Sequence, residues 1–254
     1  MGEEAAGMRV MRETWDYLTT WSHWHGADGI WTLLVQQLLL SVTALAVALL
    51  IGLPIALFLG HLGRGGFVAI NTSNIGRAVP TFALLAILVT ADHPGVSTFG
   101  PYGRAGLATL IALSLFALPP IITNGYVAVY EVPAEVRESA RGMGMTGTQL
   151  FFRVELPLAL PLVVSGVRLA MVQVWATATI AALVAGPGLG TLITEGFYRT
   201  DYPKGIAAAI VVAIVAFLLE MLGAAAERAV DPVRRAAQQT TTRKGARSPA
   251  PVGG

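Results

Sequence analysis

Residues 33–60 read LLVQQLLLSVTALAVALLIGLPIALFLG, with no charged side chain anywhere in the run. At about 1.5 Å of rise per residue, a helix of this length outspans the ~30 Å of hydrocarbon in a bilayer. The rest of the chain has the same character. Of its 254 residues, 54% are apolar and 13% charged, where an average soluble domain carries roughly 25% charge. A soluble core of this size needs a charged shell; here the charges collect in short blocks between apolar stretches, so the bilayer is the solvent.

Four further apolar runs follow, from Phe67 to Ala91, Arg104 to Tyr130, Leu158 to Val184 and Gly205 to Ala225. They predict an all-α polytopic membrane bundle of about five core transmembrane helices. Dividing the long first run and its neighbours into shorter crossings would make six. Asn71, Thr72, Ser73, Asn74 and Arg77 crowd the first half of the second run. Lipid-facing groups of that kind are costly, so this half is expected inside protein or at the interface.

Cytoplasmic loops retain Lys and Arg. With the N-terminus outside, Arg64, Arg137, Arg141, Arg153, Arg228 and the basic residues of the tail face the cytosol, against Arg9, Arg12, Arg104, Arg199 and Lys204 outside. The balance predicts N-terminus out and C-terminus in. Residues 1–32 carry Trp15, Tyr17, Trp21, Trp24 and Trp31 and suit a short helix at headgroup level. Residues 33–225 form the membrane domain, and 226–254 read as a basic, disordered cytoplasmic tail. The acidic lead-in and the length of the first run argue against a cleavable signal peptide.

With no cysteine in the chain, disulfides, thiolate zinc sites and cysteine nucleophiles are excluded. The basic balance reads as membrane topology, not nucleic-acid binding. The histidines at 23, 25, 61 and 93 lie at ends or in loops without metal-ligand spacing, and are assigned no role.

Between the third and fourth runs, residues 132–157 read VPAEVRESARGMGMTGTQLFFRVELP. Pro133 suits a first helical position, Glu135 complements the helix N-terminus, and Gly144 can take a left-handed C-cap. Thr146 and Gln149 match a capping box that starts a second helix at once. The expected result is two short helices, too polar for lipid, exposing an apolar edge of Met143, Met145, Leu150 and Phe151. Pro157 and Pro161 are expected to end the second helix and open the next span. Such a knob can seat in a groove of another protein.

The segment resembles the EAA motif of binding-protein-dependent ABC-importer permeases. Glu138-Ser139-Ala140, Gly144, Val154 and Leu156-Pro157 fall on its spacing, with Ser139 and Val154 as small departures. The stretches beginning at Arg77, Phe116, Ser139 and Gly186 together look like permeases of osmoprotectant importers for glycine betaine, carnitine, choline or proline betaine. Arg77 and Pro187 depart from that pattern, where glutamine and glycine are usual. The resemblance implies the MetI-like permease fold in a bacterial plasma membrane. It implies as partners a pair of ABC ATPase subunits, a second permease copy or paralogue, an extracytoplasmic binding protein and membrane lipid, and no nucleic acid. It also assigns Glu138, Ser139, Ala140, Gly144, Met145, Thr146, Leu156 and Pro157 to coupling with the ATPase. No phosphate-binding G-x-x-x-x-G-K-[ST] loop is present, so ATP and Mg are expected on the ATPase and no cofactor on this chain.

Polar groups inside spans are helix-to-helix glue or pathway lining. Asn71, Asn74, Arg77, Asn124, Gln173 and Trp175 are the pathway candidates. Arg168 is expected to snorkel to the interface, and Gly186 to Gly190 to make a tight extracytoplasmic turn. A secondary transporter needs a buried acid for its coupling ion, and Glu220 is the sole intramembrane candidate. An intramembrane enzyme needs a nucleophile–base or His/Asp set that the runs lack. A permease of the same class for another small solute, such as an amino acid, a metal or phosphonate, is the nearer alternative.

Overall fold

In the computed structural model, residues 2–67, 70–71, 80–90, 102, 105–184 and 186–230 are described, and every regular element among them is helical. In chain order these are α1 (Gly2–Thr19), α2 (Ile30–Leu62), α3 (Thr81–Thr90), α4 (Gly106–Tyr130), α5 (Ala134–Gly142), α6 (Gly147–Leu150), α7 (Leu156–Ile180), α8 (Gly190–Tyr198) and α9 (Tyr202–Val230). Three short irregular turns join them: 3-10 turns at Trp21–Trp24 and Ala181–Val184, and a π-turn at Phe151–Glu155.

Four helical stretches are long and apolar enough to cross a membrane, Ile30–Leu62, Gly106–Tyr130, Gly147–Val184 and Tyr202–Val230. They coincide with the first, third, fourth and fifth predicted runs. The uncharged first run is one helix of 33 residues that passes through Pro54 unbroken. This corrects the six-span alternative, because an interior proline removes one backbone hydrogen bond and neighbouring helices hold both halves in line. Of the second run, α3 is a shorter apolar helix packed on α4; most of its polar first half, residues 72–79 with Asn74 and Arg77, lies outside the described residues.

α2, α4 and α7 form the centre of the bundle. Their shared core is Leu40, Ala44 and Ala48 from α2, Leu113, Ala117 and Ile121 from α4, and Ala170, Val174 and Ala178 from α7. On α2 the buried residues Ala44, Ala48, Gly52, Ala56 and Gly60 recur every fourth position, a stripe of small side chains along one face. Lipid tails are as apolar as side chains, so helices in a bilayer associate by close packing, and small residues permit it. At Gly60 a Cβ would stand 2.8 Å from the Tyr126 carbonyl oxygen and 2.9 Å from Val129 Cβ.

A second cluster joins Ile30, Leu33 and Leu34 to Trp175, Leu189, Leu192, Ala208 and Val211, with Tyr17, Leu18 and Trp24 packed against it. It places α1, α8 and the start of α9 at one end of the bundle. The aromatic anchor divides: Tyr17 and Trp24 pack inward, with Trp24 Nε1 donating to the Leu18 carbonyl at 2.7 Å, while Trp15, Trp21 and Trp31 stay exposed. α5 and α6 lie at the opposite end, beside the C-termini of α2 and α4. Val42, Leu50, Phe58, Ile214, Phe217 and Leu222 are exposed along the spans, as a lipid-facing surface requires.

Candidate functional site

The helical knob begins where α4 ends. α5 closes in a paired-bond C-cap: Met145 N–H donates to the Ala140 carbonyl at 3.2 Å and Gly144 N–H to Arg141 at 2.9 Å, with Gly144 at φ +82°. This is the Schellman arrangement, whose left-handed residue favours glycine because it has no Cβ. The next helix starts two residues later through a complete capping box: Thr146 Oγ1 accepts from Gln149 N–H at 3.3 Å, and Gln149 Oε1 accepts from Thr146 N–H at 3.0 Å. Both features match the expectation from sequence.

Two expectations for the knob are corrected. Leu150 is fully buried, so it belongs to the joint with the bundle, and the exposed apolar groups are Val136, Met143 and Phe152. Nor does the second helix stop at Leu156-Pro157. The backbone runs from Gly147 to Val184 as one helical stretch, widened at Phe151–Glu155 into a π-turn whose closing bond is Leu156 N–H to the Phe151 carbonyl. Proline lacks the N–H for the carbonyl four residues earlier and its ring crowds that carbonyl. The wider turn just before Pro157 relieves both conflicts without breaking the rod.

Glu138, Ser139, Gly144, Thr146 and Pro157 are exposed, Met145 and Leu156 half-buried, and Ala140 buried. The motif thus presents its polar residues outward and seats Ala140 against the bundle. A cavity of about 430 Å³ opens beside α5, bounded by Tyr130, Pro133, Arg137, Glu138 and Arg141.

Inside the knob lies a cluster that sequence reasoning missed. Glu155, the last residue of the π-turn, has no exposed surface. His61 Nδ1, from the C-terminal turn of α2, donates to Glu155 Oε2 at 2.5 Å. Arg137 Nε, from α5, stands 3.6 Å from Glu155 Oε1. Arg137 Nη2 also donates to the carbonyls of Val129 at 2.9 Å and Tyr130 at 2.5 Å, capping α4. A buried carboxylate without a counter-charge would cost several kcal/mol; Arg137 supplies the charge and fills orphan carbonyls of a helix end. The one signal in the sequence was a carboxylate set among apolar residues at the foot of a span.

At the other end, Gly186 to Gly190 makes a turn as expected, and every residue of it is buried. Gln37 of α2, itself without exposed surface, explains the burial. Its Oε1 accepts from Leu189 N–H at 2.9 Å, while its Nε2 donates to Thr179 Oγ1 at 3.0 Å and to the Trp175 carbonyl at 3.3 Å. Gly188 sits at φ +112°, and a Cβ there would stand 2.9 Å from Gln37 Oε1.

The pathway candidates are scattered. Trp175 has no exposed surface and donates its indole N–H to the Val212 carbonyl at 3.0 Å. Asn124 and Gln173 are half-buried, and Asn124 Nδ2 donates to the Pro120 carbonyl in its own helix at 2.8 Å. Asn71 is exposed and donates to the Phe67 carbonyl at 2.8 Å. Arg168 does not merely snorkel. It pairs with Glu227 at 2.5 Å and Glu220 at 3.2 Å, joining α7 to α9; Glu220 is therefore the partner of a cation.

The profile of the family described as "Binding-protein-dependent transport system inner membrane component" matches residues 48–235. Over 199 residues the chain is 33% identical to the osmoprotectant import permease protein OsmY of Salmonella typhimurium, covering 78% of this chain and 80% of that one. Over 187 residues it is 34% identical to the carnitine transport permease protein OpuCB of Listeria monocytogenes, covering 73% and 80%. The inward-facing MetNI methionine ABC transporter shares its fold, with a TM-score of 0.65 at 23% identity over 77% of this chain and 93% of that one. A membrane-spanning bundle carrying the EAA-like knob between two of its spans, with that profile across most of its length, belongs to the inner-membrane components of binding-protein-dependent transport systems.

Proposed function

We propose that the chain lines the cargo pathway of an ATP-driven importer for quaternary-amine osmoprotectants, and that α5, α6 and the π-turn are the handle by which a separate ATPase moves it. The observation that carries this reading is mechanical. A tight turn joins two capped, outward-facing short helices, and the second runs without a break into a transmembrane helix, so force applied at Glu138, Ser139, Gly144, Met145 or Thr146 reaches α7 through that turn. Ala140 and Leu156 seat the handle on the bundle, and Pro157 stands exposed where the span begins. The names of the relatives, an osmoprotectant importer and a carnitine importer, support the cargo class.

In this reading a pair of ATPase subunits binds ATP and Mg, a second permease copy or paralogue completes the pathway, and a binding protein delivers cargo at the opposite end. The knob faces the cytosol and α1 the outside, which suits their places at opposite ends of the bundle and the clustering of Arg137, Arg141 and Arg153 at the knob. A quaternary ammonium cannot donate hydrogen bonds from its cationic head, so the pathway needs only passing contacts with aromatic faces and polar groups. Asn71, Asn124 and Gln173 suit such contacts, together with Asn74 and Arg77 outside the described residues. Trp175, sealed by its bond to Val212, reaches cargo only through a change in helix packing.

The test is reconstitution of the assembled complex in proteoliposomes with labelled glycine betaine, carnitine or choline. ATP-dependent uptake that survives collapse of ion gradients supports the reading. Uptake that follows a gradient without ATP, or selective uptake of an amino acid, metal or phosphonate instead, overturns it.

A further inference from the structure

Glu155 is a buried carboxylate at a point where four elements meet. His61 ties it to the end of α2, and Arg137 ties it to α5 and, through two carbonyls, to the end of α4. Glu155 itself terminates the π-turn that leads into α7. These groups lie at the knob, apart from the pathway candidates. Phe151 packs edge-on against the His61 ring, centroids 5.3 Å apart, so the same turn holds α2 by an apolar contact as well.

Such a cluster can serve as static cement or as a transmission joint, and two features favour the joint. The π-turn is a local departure from α-helical winding at the base of the handle, where a straight rod would twist or bend first. Arg137 Nε and Glu155 Oε1 have no hydrogen-bond partner, and their 3.6 Å separation exceeds hydrogen-bond length. The Arg137 side of the cluster thus has room to tighten, while the His61 side is closed.

We propose that Glu155 is a positioning residue of the transport cycle: it locks the ends of α2 and α4 to the handle, so that a displacement of the knob moves three spans as one body. The proposal rests on the reading that the knob is driven by an ATPase. Without the lock, α4 would stay tied to α5 through Arg137, but α2 would no longer follow the handle, and ATP would be hydrolysed without a matching change in the pathway.

The experiment uses the full complex, with Glu155→Gln, His61→Leu and His61→Gln. Glu155→Gln removes the charge that faces Arg137; His61→Leu removes the donor, and His61→Gln restores one. The readouts are co-purification of the ATPase, ATP consumed per cargo molecule, and a distance between spin labels at Leu62→Cys and Met143→Cys. Both label positions are exposed, and the chain has no cysteine of its own to compete. Expected are retained co-purification, a rise of about tenfold in ATP per cargo for Glu155→Gln and His61→Leu, in the range of coupling between linked sites, and partial rescue by His61→Gln. The label distance should hold constant across nucleotide states in the unmodified lock and vary in the two disruptive variants. A normal ATP-to-cargo ratio in both disruptive variants overturns the proposal, as does loss of ATPase binding in both, which would make the cluster a docking element. Should Glu155→Gln fail to insert, the two His61 variants decide alone. If the unmodified complex hydrolyses ATP but moves no quaternary amine, the proposed cargo falls, and the label distances still judge the lock.

Discussion

The side chain of Gln37 hydrogen-bonds the backbone N–H of Leu189, 152 positions later, at 2.9 Å. With its amide nitrogen bonded to α7, this one residue fastens the buried Gly186–Gly190 segment to two spans at once. Gln37→Leu keeps the volume but leaves the Leu189 N–H without that partner, while the Trp175 carbonyl keeps its bond from Thr179 Oγ1. A buried orphan costs about 1–3 kcal/mol, so the expected outcome is a lower unfolding temperature in detergent and faster amide exchange at Leu189. Unchanged exchange there would mean that the segment is held by packing alone.

Gly144 at φ +82° has nothing within 4 Å of a built Cβ, so backbone conformation alone reserves the position for glycine. Gly144→Val is expected to strain the turn by about 1–2 kcal/mol, leaving membrane insertion intact while uptake falls relative to ATP hydrolysis. Gly144→Asn should recover most of the loss, because asparagine tolerates left-handed backbone. Gly142→Ala, at ordinary φ and with equally open space, serves as the control. Normal uptake by Gly144→Val would detach the turn from coupling.

Thr146 starts the second knob helix with both bonds of a capping box. Thr146→Ala removes the side-chain acceptor, an expected loss of roughly 1 kcal/mol. Limited proteolysis at Gly147–Gln149 should accelerate, and Thr146→Ser should reverse the effect. Equal cleavage in all three proteins would show that tertiary contacts, not the cap, hold this turn.

A Cβ on Gly223 would stand 2.4 Å from Arg168 Cγ, so the absence of a side chain there lets the arginine lie between Glu220 and Glu227. Gly223→Leu is expected to push Arg168 off both carboxylates and destabilise the α7–α9 seam by about 1–3 kcal/mol, within the range of broken packed networks. A thermal melt in nanodiscs checks it. Arg168→Leu should cost a comparable amount, and the double variant less than the sum, because both act on one contact.

Lys204 Nζ stands 2.7 Å from Glu195 Oε2, and this hydrogen bond is the first cause that holds the Glu195 carboxyl below its ordinary range, against the opposing effect of burial. A depressed folded value stabilises the fold above the unfolded carboxylate value and is lost as pH falls through the folded one. The α8–α9 link should therefore persist through the ordinary carboxylate range and release only at more acidic pH. Carbon-13 titration of glutamate carboxyls checks this, and Lys204→Met should move the Glu195 midpoint upward.

The spans were legible because a bilayer imposes a length and a solvent. Residues 33–60 cannot be read otherwise, and helix α2 covers them. The knob was legible because its turn is built from bonds between residues five or fewer apart, Met145 to Ala140 and Thr146 to Gln149. The stripe Ala44, Ala48, Gly52, Ala56 and Gly60 was equally open to reading by its fourfold spacing. That spacing marks a packed face of the helix but does not say which neighbouring helix packs there.

Local chemistry written in neighbouring residues thus determined where the chain crosses the membrane, where it turns, and which motif stands between two spans. Tertiary structure alone decided that His61 and Glu155, 94 positions apart, share one bond, that Leu150 turns inward, and that the glycine-rich segment is sealed by Gln37. The physical reason is distance along the chain. Backbone caps and hydrophobic length are satisfied within a turn or a span, whereas a buried carboxylate or amide must find its partner on another helix, and only the packing of the helices says which one.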